Sequence, residues 1–434
     1  MSSEGRWPDR GGPKAGVVVQ GCGVPSGRRR CLRPPIFSFM TPKETGIVQL
    51  EVLPQDKIYL GLTLPFFTLL NEKIRKVGIF ELARQLQVSK RIVNHWLSES
   101  SLVRLDILVR ICAYFKIDYT NHILYLRGKN GGKIYNPRLP FDFTSETGVR
   151  FIASILGDGG ISHKRKTCTY SNTNKDLTNG FLHDSRYIFG DVAYTTWSTQ
   201  KKSSTISNIS LPQMLSQVLF LIGLKAGKKV EINPNIPEFI FALPDEHKYT
   251  FLSQFIDDEG SVNDAGRHIS LTSACLKKYG TPHLLGDIQK LILPLDILCS
   301  IYPGEVYLSK RGEPRRTWKL QIGGSIQLNK LHRHLNLRSS KKRGKLRRII
   351  NSYQLTIFRK RDILETYITI MERIQNAQGY FTSQDLAKET RRAVGSCTNT
   401  ITKYKELGII ACVQPSVLTS KGSQFGRYIL DPLV

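Results

Sequence analysis

Acid is scarce in this chain: 35 Asp and Glu stand against 63 Lys and Arg, a formal charge of +28 over 434 residues. An excess of that size suits nucleic acid, an anionic membrane surface or plain solubility. Also lacking is any apolar run near the ~20 residues needed to cross a bilayer. Val17 to Val19 is too short to be the apolar core of a signal peptide. Nucleic acid therefore leads over membrane, and a cytoplasmic location is expected, nucleoid-associated in a prokaryote. The eight cysteines (Cys22, Cys31, Cys112, Cys168, Cys275, Cys299, Cys397 and Cys412) form no Cys-x-x-Cys pair or other zinc-like spacing. Reduced, mostly buried thiols and no zinc are expected. Ser-His-Asp, Walker and dinucleotide patterns are missing too, and the histidines lack metal-ligand spacing.

What is present suggests several domains, since this length can hold two to four. Residues 1–45 are rich in Gly, Pro and Arg, with no apolar period, and are expected to be a disordered basic leader. From 50 to 130 the pattern is helical. Ile79, Leu82, Ala83 and Leu86 follow i, i+3, i+4, i+7 spacing, and after Gln87 and Val88, Ser89 can cap a helix carrying Ile92, Val93, Trp96 and Leu97. This all-α stretch resembles a helix-turn-helix domain of the phage-repressor type, with Gln87 where the turn usually has Gly. The resemblance implies a second helix in the DNA major groove, presenting Lys90, Arg91, Asn94 and His95.

Gly131, Gly132, Pro137 and Pro140 mark a linker. A long central region, 141–348, follows. Residues 349–434 read as a helical linker, then two helices capped from Thr382 or Ser383, then strands at Gly408 to Val413 and Arg427 to Leu430. That outline resembles a winged-helix domain.

Within the central region one pattern occurs twice. Phe151-Ile-Ala-Ser-Ile-Leu-Gly-Asp-Gly159 and Leu252-Ser-Gln-Phe-Ile-Asp-Asp-Glu-Gly260 are apolar helix-like runs that end in an acid and a glycine. Asp158 and Glu259 occupy the same place in each. Ala153 and Gly157, four apart, lie on one helix face and permit another helix to approach closely. A second such helix alongside brings Glu259 next to Asp158, and two adjacent carboxylates need a cation between them. Oxygen ligands favour Mg²⁺ (or Mn²⁺) over zinc.

These residues resemble the LAGLIDADG homing endonucleases in the form that carries both motifs on one chain, over roughly 145–345. The resemblance implies an α+β fold: a duplicated αββαββ core whose two sheets sit over the DNA major groove. The motif helices would form the central interface. Asp158 and Glu259 would each hold a divalent ion that activates water and stabilises the leaving oxygen on one strand. The family also places a lysine near each metal centre. Lys229 in the first repeat, and Lys341 or Lys342 in the second, stand where it is expected, with Lys341 favoured as the catalytic one. Gln254 stands where the second motif usually has Gly, which should loosen or tilt the helix crossing.

Two stretches alternate polar and apolar residues as strands do, Arg267 to Ser273 and Trp318 to Ile322. Arg267, His268 and Lys319 on them, with Lys342 and Arg343, are candidate DNA contacts. The expected protein is a monomeric, site-specific, metal-dependent DNA endonuclease acting on a long asymmetric double-stranded site. The alternatives are a non-catalytic DNA-binding regulator derived from such an enzyme, which needs neither acid, and an intron RNA maturase.

Overall fold

A computed structural model describes residues 40–97, 102–129, 131–164, 166–201, 204–353, 363–419 and 422–431. Most of the expected leader lies outside these residues. Its end does not: α1 (Pro42–Thr45) is a closed turn with a capping box between Thr41 and Glu44, and β1 (Ile47–Val48) follows.

The stretch expected to be all helical is mixed. It runs β2 (Ile58–Leu62), α2 (Leu64–Val77), α3 (Ile79–Gln85), α4 (Lys90–Trp96), β3 (Val103–Arg104), α5 (Leu105–Phe115), β4 (Ile123–Gly128) and β5 (Lys133–Tyr135). Runs such as Ile58-Tyr-Leu-Gly-Leu62 are short and largely apolar, and periodicity alone cannot separate them from helix. Nor is the Gly- and Pro-marked stretch a free linker. Its Lys133–Tyr135 is a sheet strand, and β6 (Phe141–Asp142) pairs with β1. The α3–α4 pair is as expected: Gln87 takes a left-handed φ of 52° between the helices, and Ser89 Oγ accepts from the Ile92 amide at 3.4 Å.

Next come α6 (Glu146–Leu156), β7 (Gly159–Ile161), β8 (Cys168–Asn172), α7 (Lys175–Phe189), β9 (Asp191–Val192), β10 (Thr195–Lys201), β11 (Ser204–Ser210), α8 (Gln213–Leu221) and the single turn α9 (Lys229–Ile232). Strand β9 joins the preceding region in a five-stranded sheet, β3-β2-β4-β5-β9. Then α10 (Asp245–Glu259) leads into β12 (Gly260–Asn263), β13 (His268–Leu276), α11 (His283–Ile292), β14 (Ser300–Leu308), β15 (Pro314–Gly323), α12 (Ser325–His334) and α13 (Ser340–Asn351).

Two antiparallel four-stranded sheets result, β7-β8-β11-β10 and β12-β13-β15-β14. In each, the strand leaving the long buried helix is at one edge, and the first strand of the second hairpin is at the other. Helices α6 and α10 pack on each other, and one hydrophobic core runs from Val48 to Ile349. A second core holds the final elements: α14 (Ile363–Gln378), α15 (Ser383–Thr390), α16 (Val394–Glu406) and β16 (Ile410–Gln414), with β17 (Val417–Thr419), β18 (Gly422–Gln424) and β19 (Arg427–Leu430). Of the two caps open to α15, Thr382 is the one used: its Oγ1 accepts from the Asp385 amide and its own amide donates to the Asp385 carboxylate. Strand β16 pairs with β19, and β17 with β18. Among the described cysteines all are free thiols, four of them buried.

Candidate active site

Two helices end in the same way here, and the glycines show why. Ser145 Oγ caps α6 by accepting from Gly148 N at 3.2 Å. Val149, Phe151, Ile152 and Ala153 are fully buried, with Ile155 and Leu156 nearly so. The chain then turns straight into β7 across the last helical turn. A Cβ at Gly159 would stand 2.7 Å from Ser154 O and 2.8 Å from Ile155 Cα. At the end of α10 a Cβ on Gly260 would stand 2.6 Å from Ile256 O and 2.8 Å from Ile256 Cα. Both positions are too close to backbone for a side chain, so each acid is followed by glycine.

Gly157 does a different job. A Cβ there would lie 2.6 Å from Asp258 Oδ2 on the facing helix, so the missing side chain makes room for a carboxylate. Asp258 occupies the place in the second motif that Gly157 holds in the first, and sequence reasoning gave it no role. Its Oδ1 accepts from the Tyr170 hydroxyl at 2.7 Å and from Gln254 Nε2 at 3.1 Å. Oδ2 is buried without a hydrogen-bond partner among the described residues. Gln254, expected to loosen the crossing, is buried within it as a donor to that acid. Helices α6 and α10 pack on each other with this amide between them, its Nε2 bonded along its own helix and its Oε1 buried without a hydrogen-bond partner among the described residues.

Asp158 and Glu259 both lie half-buried at the helix ends. Asn172 Nδ2 donates to Asp158 Oδ2 at 2.7 Å, and Lys229 Nζ lies 3.6 Å from Glu259 Oε1. Burial, with the Glu259 charge beside it, pushes the Asp158 carboxyl up to about 6, against the pull of Lys229 and Lys342. Burial and the Asp158 charge push Asp258 up to about 8. Burial also raises Glu259, while Lys229 pulls it down. The Lys229 and Lys342 ammoniums are both lowered by burial, opposed by the surrounding acids. Three acids and two lysines thus titrate against one another in one low-dielectric space.

Of the two candidates in the second repeat, Lys342 is the one brought to the acid cluster. Lys342 Nζ donates to the carbonyls of Ile256 at 2.8 Å and Asp257 at 2.6 Å, in the last turn of α10. A cation suits that end of a helix, where carbonyls lack intrahelical partners. Lys341 is exposed on α13 and stands outside the cluster, which reverses the expected order of the two. Helical geometry is the reason: neighbours on a helix are about 100° apart, so only one can face α10. Lys342, also expected as a DNA contact, has its Nζ engaged at the end of α10. Asp257, buried, accepts from the amides of Arg338 at 2.5 Å and Ser339 at 3.3 Å. The Arg338 guanidinium makes a two-pronged pair with buried Asp184 of α7, both bonds 2.8 Å. These contacts anchor the segment that delivers Lys342.

The other candidates are dispersed. On α4, Lys90, Arg91, Asn94 and His95 are exposed opposite buried Val93 and Trp96, with Lys90 Nζ over the Phe80 ring. His268 and Lys319 lie on the polar face of the second sheet, with Ser270, Thr272 and Gln321. Ile269, Leu271, Leu320 and Ile322 pack on the other face. Arg267 is not on that face. It sits at a left-handed φ in the β12–β13 turn, donates to Arg391 O at 2.8 Å and lies over the Tyr353 ring, so it ties the terminal region to the core. Arg343 Nη1 donates to Leu337 O at 3.1 Å. Among the described residues no group of three or more His, Cys, Asp or Glu could hold a metal ion, and no helix is long and apolar enough to cross a membrane.

No family model matches the chain. It is 27% identical over 179 residues to the ribonucleoside-diphosphate reductase NrdEB subunit alpha of Bacillus subtilis (strain 168), and equally to that of Bacillus phage SPbeta. The match takes in 39% of this chain and spans about 15% of the length of those curated relatives. A solved structure of mesophilic variants from the homing endonuclease I-DmoI is similar over 45% of this chain and 97% of that one. Its identity is 12% and its TM-score 0.30, a level at which the likeness assigns nothing by itself.

Proposed function

We propose that this chain is a site-specific double-strand DNA endonuclease with a duplicated LAGLIDADG core. One observation carries the reading: Asp158 and Glu259 end two mutually packed helices, and each helix leads into a four-stranded antiparallel sheet of the same strand order. A two-sided site with one acid per half suits two phosphodiesters on opposite strands.

The donor set fits a hard divalent ion. The side chains of Asp158 and Glu259 offer only oxygen, and burial together with the Glu259 charge raises Asp158, a strain that a bound cation would relieve. Mg²⁺ suits such a site, since it keeps several waters and takes one or two carboxylates. Asp158 and Glu259 would hold the ions, which when bound would activate water and stabilise the leaving oxygen. The chain's own groups do the rest. Asn172 fixes one Asp158 oxygen, leaving the other for a cation. Lys229, beside Glu259, and Lys342, bonded to the last-turn carbonyls of α10, would offset charge that develops on a cleaved phosphate.

The polar faces of the two sheets would read base edges, His268 and Lys319 among their residues. The α3–α4 pair, with a left-handed residue at its turn and an exposed basic second helix, supports a helix-turn-helix module. Helices α15 and α16 with the β16–β19 strands support a winged-helix module. Such modules would lengthen an asymmetric recognition site read by one monomer. A regulator that never cuts has no use for this acid cluster, whose burial opposes folding.

The test is cleavage. Purified protein with Mg²⁺ is incubated with a pool of duplexes that includes the DNA flanking its own coding sequence. Paired nicks at one site, suppressed by chelation, are expected. Tight binding to a duplex that is never cut with Mg²⁺ or Mn²⁺ would leave only the regulator.

A further inference from the structure

Helix α7 ends against β5, and a polar cavity of about 570 Å³ opens where they meet. Gly190 permits the junction: φ is 99°, and a Cβ there would overlap Asn136 O. Two arginine–tyrosine pairs line the cavity. The Arg138 guanidinium carbon lies 5.3 Å from the Tyr187 ring centre, and its Nη1 donates to Tyr187 O at 3.1 Å. The Arg186 guanidinium carbon lies 5.7 Å from the Tyr194 ring centre. Both rings are open to solvent, 49% exposed at Tyr187 and 38% at Tyr194. The one acid in the lining, Asp191, accepts from Asn136 Nδ2 at 2.9 Å.

A related arrangement lies on β5 beside it. Tyr135 pairs with Asp191 across β5 and β9. It is 41% exposed, and Lys133 Nζ lies 5.6 Å from its ring centre. Two solvent-open tyrosines, each with an arginine at its face, line the polar hollow, and Tyr135 stands on the neighbouring strand. A protein core has no need of aromatic rings in this setting, and a duplex cannot use them, because its bases are already stacked. Unpaired bases can: they stack on aromatic faces while arginine and lysine hold the phosphates.

We infer that this cavity and its tyrosine rim bind unpaired nucleotides of a single-stranded nucleic acid, at a site built from residues other than the acid–lysine cluster. The inference is independent of the cleavage reading, since none of these side chains belongs to that cluster.

Ultraviolet crosslinking and fluorescence anisotropy on the full chain test it. The probes are a mixed-sequence 12-nucleotide RNA, its DNA counterpart, the matching duplex and a mononucleotide. Crosslinks in the peptide carrying Tyr187 or Tyr194 are expected. The double variant Tyr187→Ala with Tyr194→Ala should weaken single-strand binding at least tenfold, in line with about 1–3 kcal/mol per stacked base, and change duplex binding less than twofold. Tyr187→Phe with Tyr194→Phe should restore it, which separates stacking from misfolding. Preference for the RNA or the DNA strand names the source of the nucleotides, and saturable mononucleotide binding at the same tyrosines supports the same chemistry. Equal loss on single strand and duplex, crosslinks confined to other regions, or no loss in the alanine variant would overturn it.

Discussion

Gly157 on one central helix faces the Asp258 carboxylate on the other so closely that a Cβ would stand 2.6 Å from Oδ2. The two residues hold equivalent places in their motifs, yet one has no side chain and the other a half-buried acid with an enclosed Oδ2. Gly157→Ala should therefore overpack the helix crossing. A loss of about 1–3 kcal/mol is expected, read as a lower midpoint in urea unfolding. A midpoint unchanged from wild type would show that the crossing is looser than described.

Asp258 also makes a pH prediction. Its folded value of about 8 lies above the ordinary 3.8, so the folded state binds the proton more tightly than the unfolded chain does. The ionised group opposes folding fully above pH 8, and the penalty fades as pH falls through 8 toward 4. Asp258→Asn keeps an acceptor for Tyr170 and removes the charge. It should melt higher than wild type at pH 8.5 in chelator, with the gap narrowed at pH 5 and closed near pH 4. A gap that widens on acidification contradicts the assignment.

Asp158, held up to about 6 by burial and the Glu259 charge, must be ionised to hold a cation. Mg²⁺ affinity measured by calorimetry should fall as pH drops through 6, and Asp158→Asn should lose that dependence together with most of the binding. Affinity that is flat between pH 5 and 7.5 would argue against Asp158 as a ligand.

Lys341 and Lys342 are neighbours with opposite surroundings. Lys342→Met should slow cutting by about a hundredfold, the usual scale for losing one charge-stabilising donor. Lys341→Met should stay within about twofold. Single-turnover rates on a bound duplex compare them directly, and a reversed ranking would mean that α13 is rotated from the position described.

Gln87 sits at a φ of 52° between α3 and α4, where glycine is free and other residues are strained by ~1 kcal/mol. Gln87→Gly should be neutral or stabilising by that amount in thermal unfolding. A clear loss of stability would give the Gln87 side chain a role that the backbone does not suggest.

The two motif helices were legible because their signal is short-range. An apolar run closing on acid and glycine states a buried helix, its end and its exit angle within nine residues. Gly159 and Gly260 make that exit possible by lacking a Cβ. The roles of Tyr170, Asn172, Asp184 and Arg338 were not legible, since each depends on a partner from 14 to 154 positions away. Register across α13 was equally hidden, hence the exchange of Lys341 for Lys342. The strands of residues 58–135 were lost to helix because five apolar residues carry no period of their own. Asp258 was the readable omission, since it aligns with Gly157 and a glycine opposite an acid suggests that the acid fills its space.

The most direct test of the account is to separate binding from cutting with one atom exchange. On a duplex that wild type cuts with Mg²⁺, Asp158→Asn should bind within about threefold of wild type, since affinity rests on the cations that meet phosphate and not on an acid, and should leave the DNA intact. Cutting by Asp158→Asn at the wild-type rate would contradict the assignment of the paired acids as the centre of the chemistry.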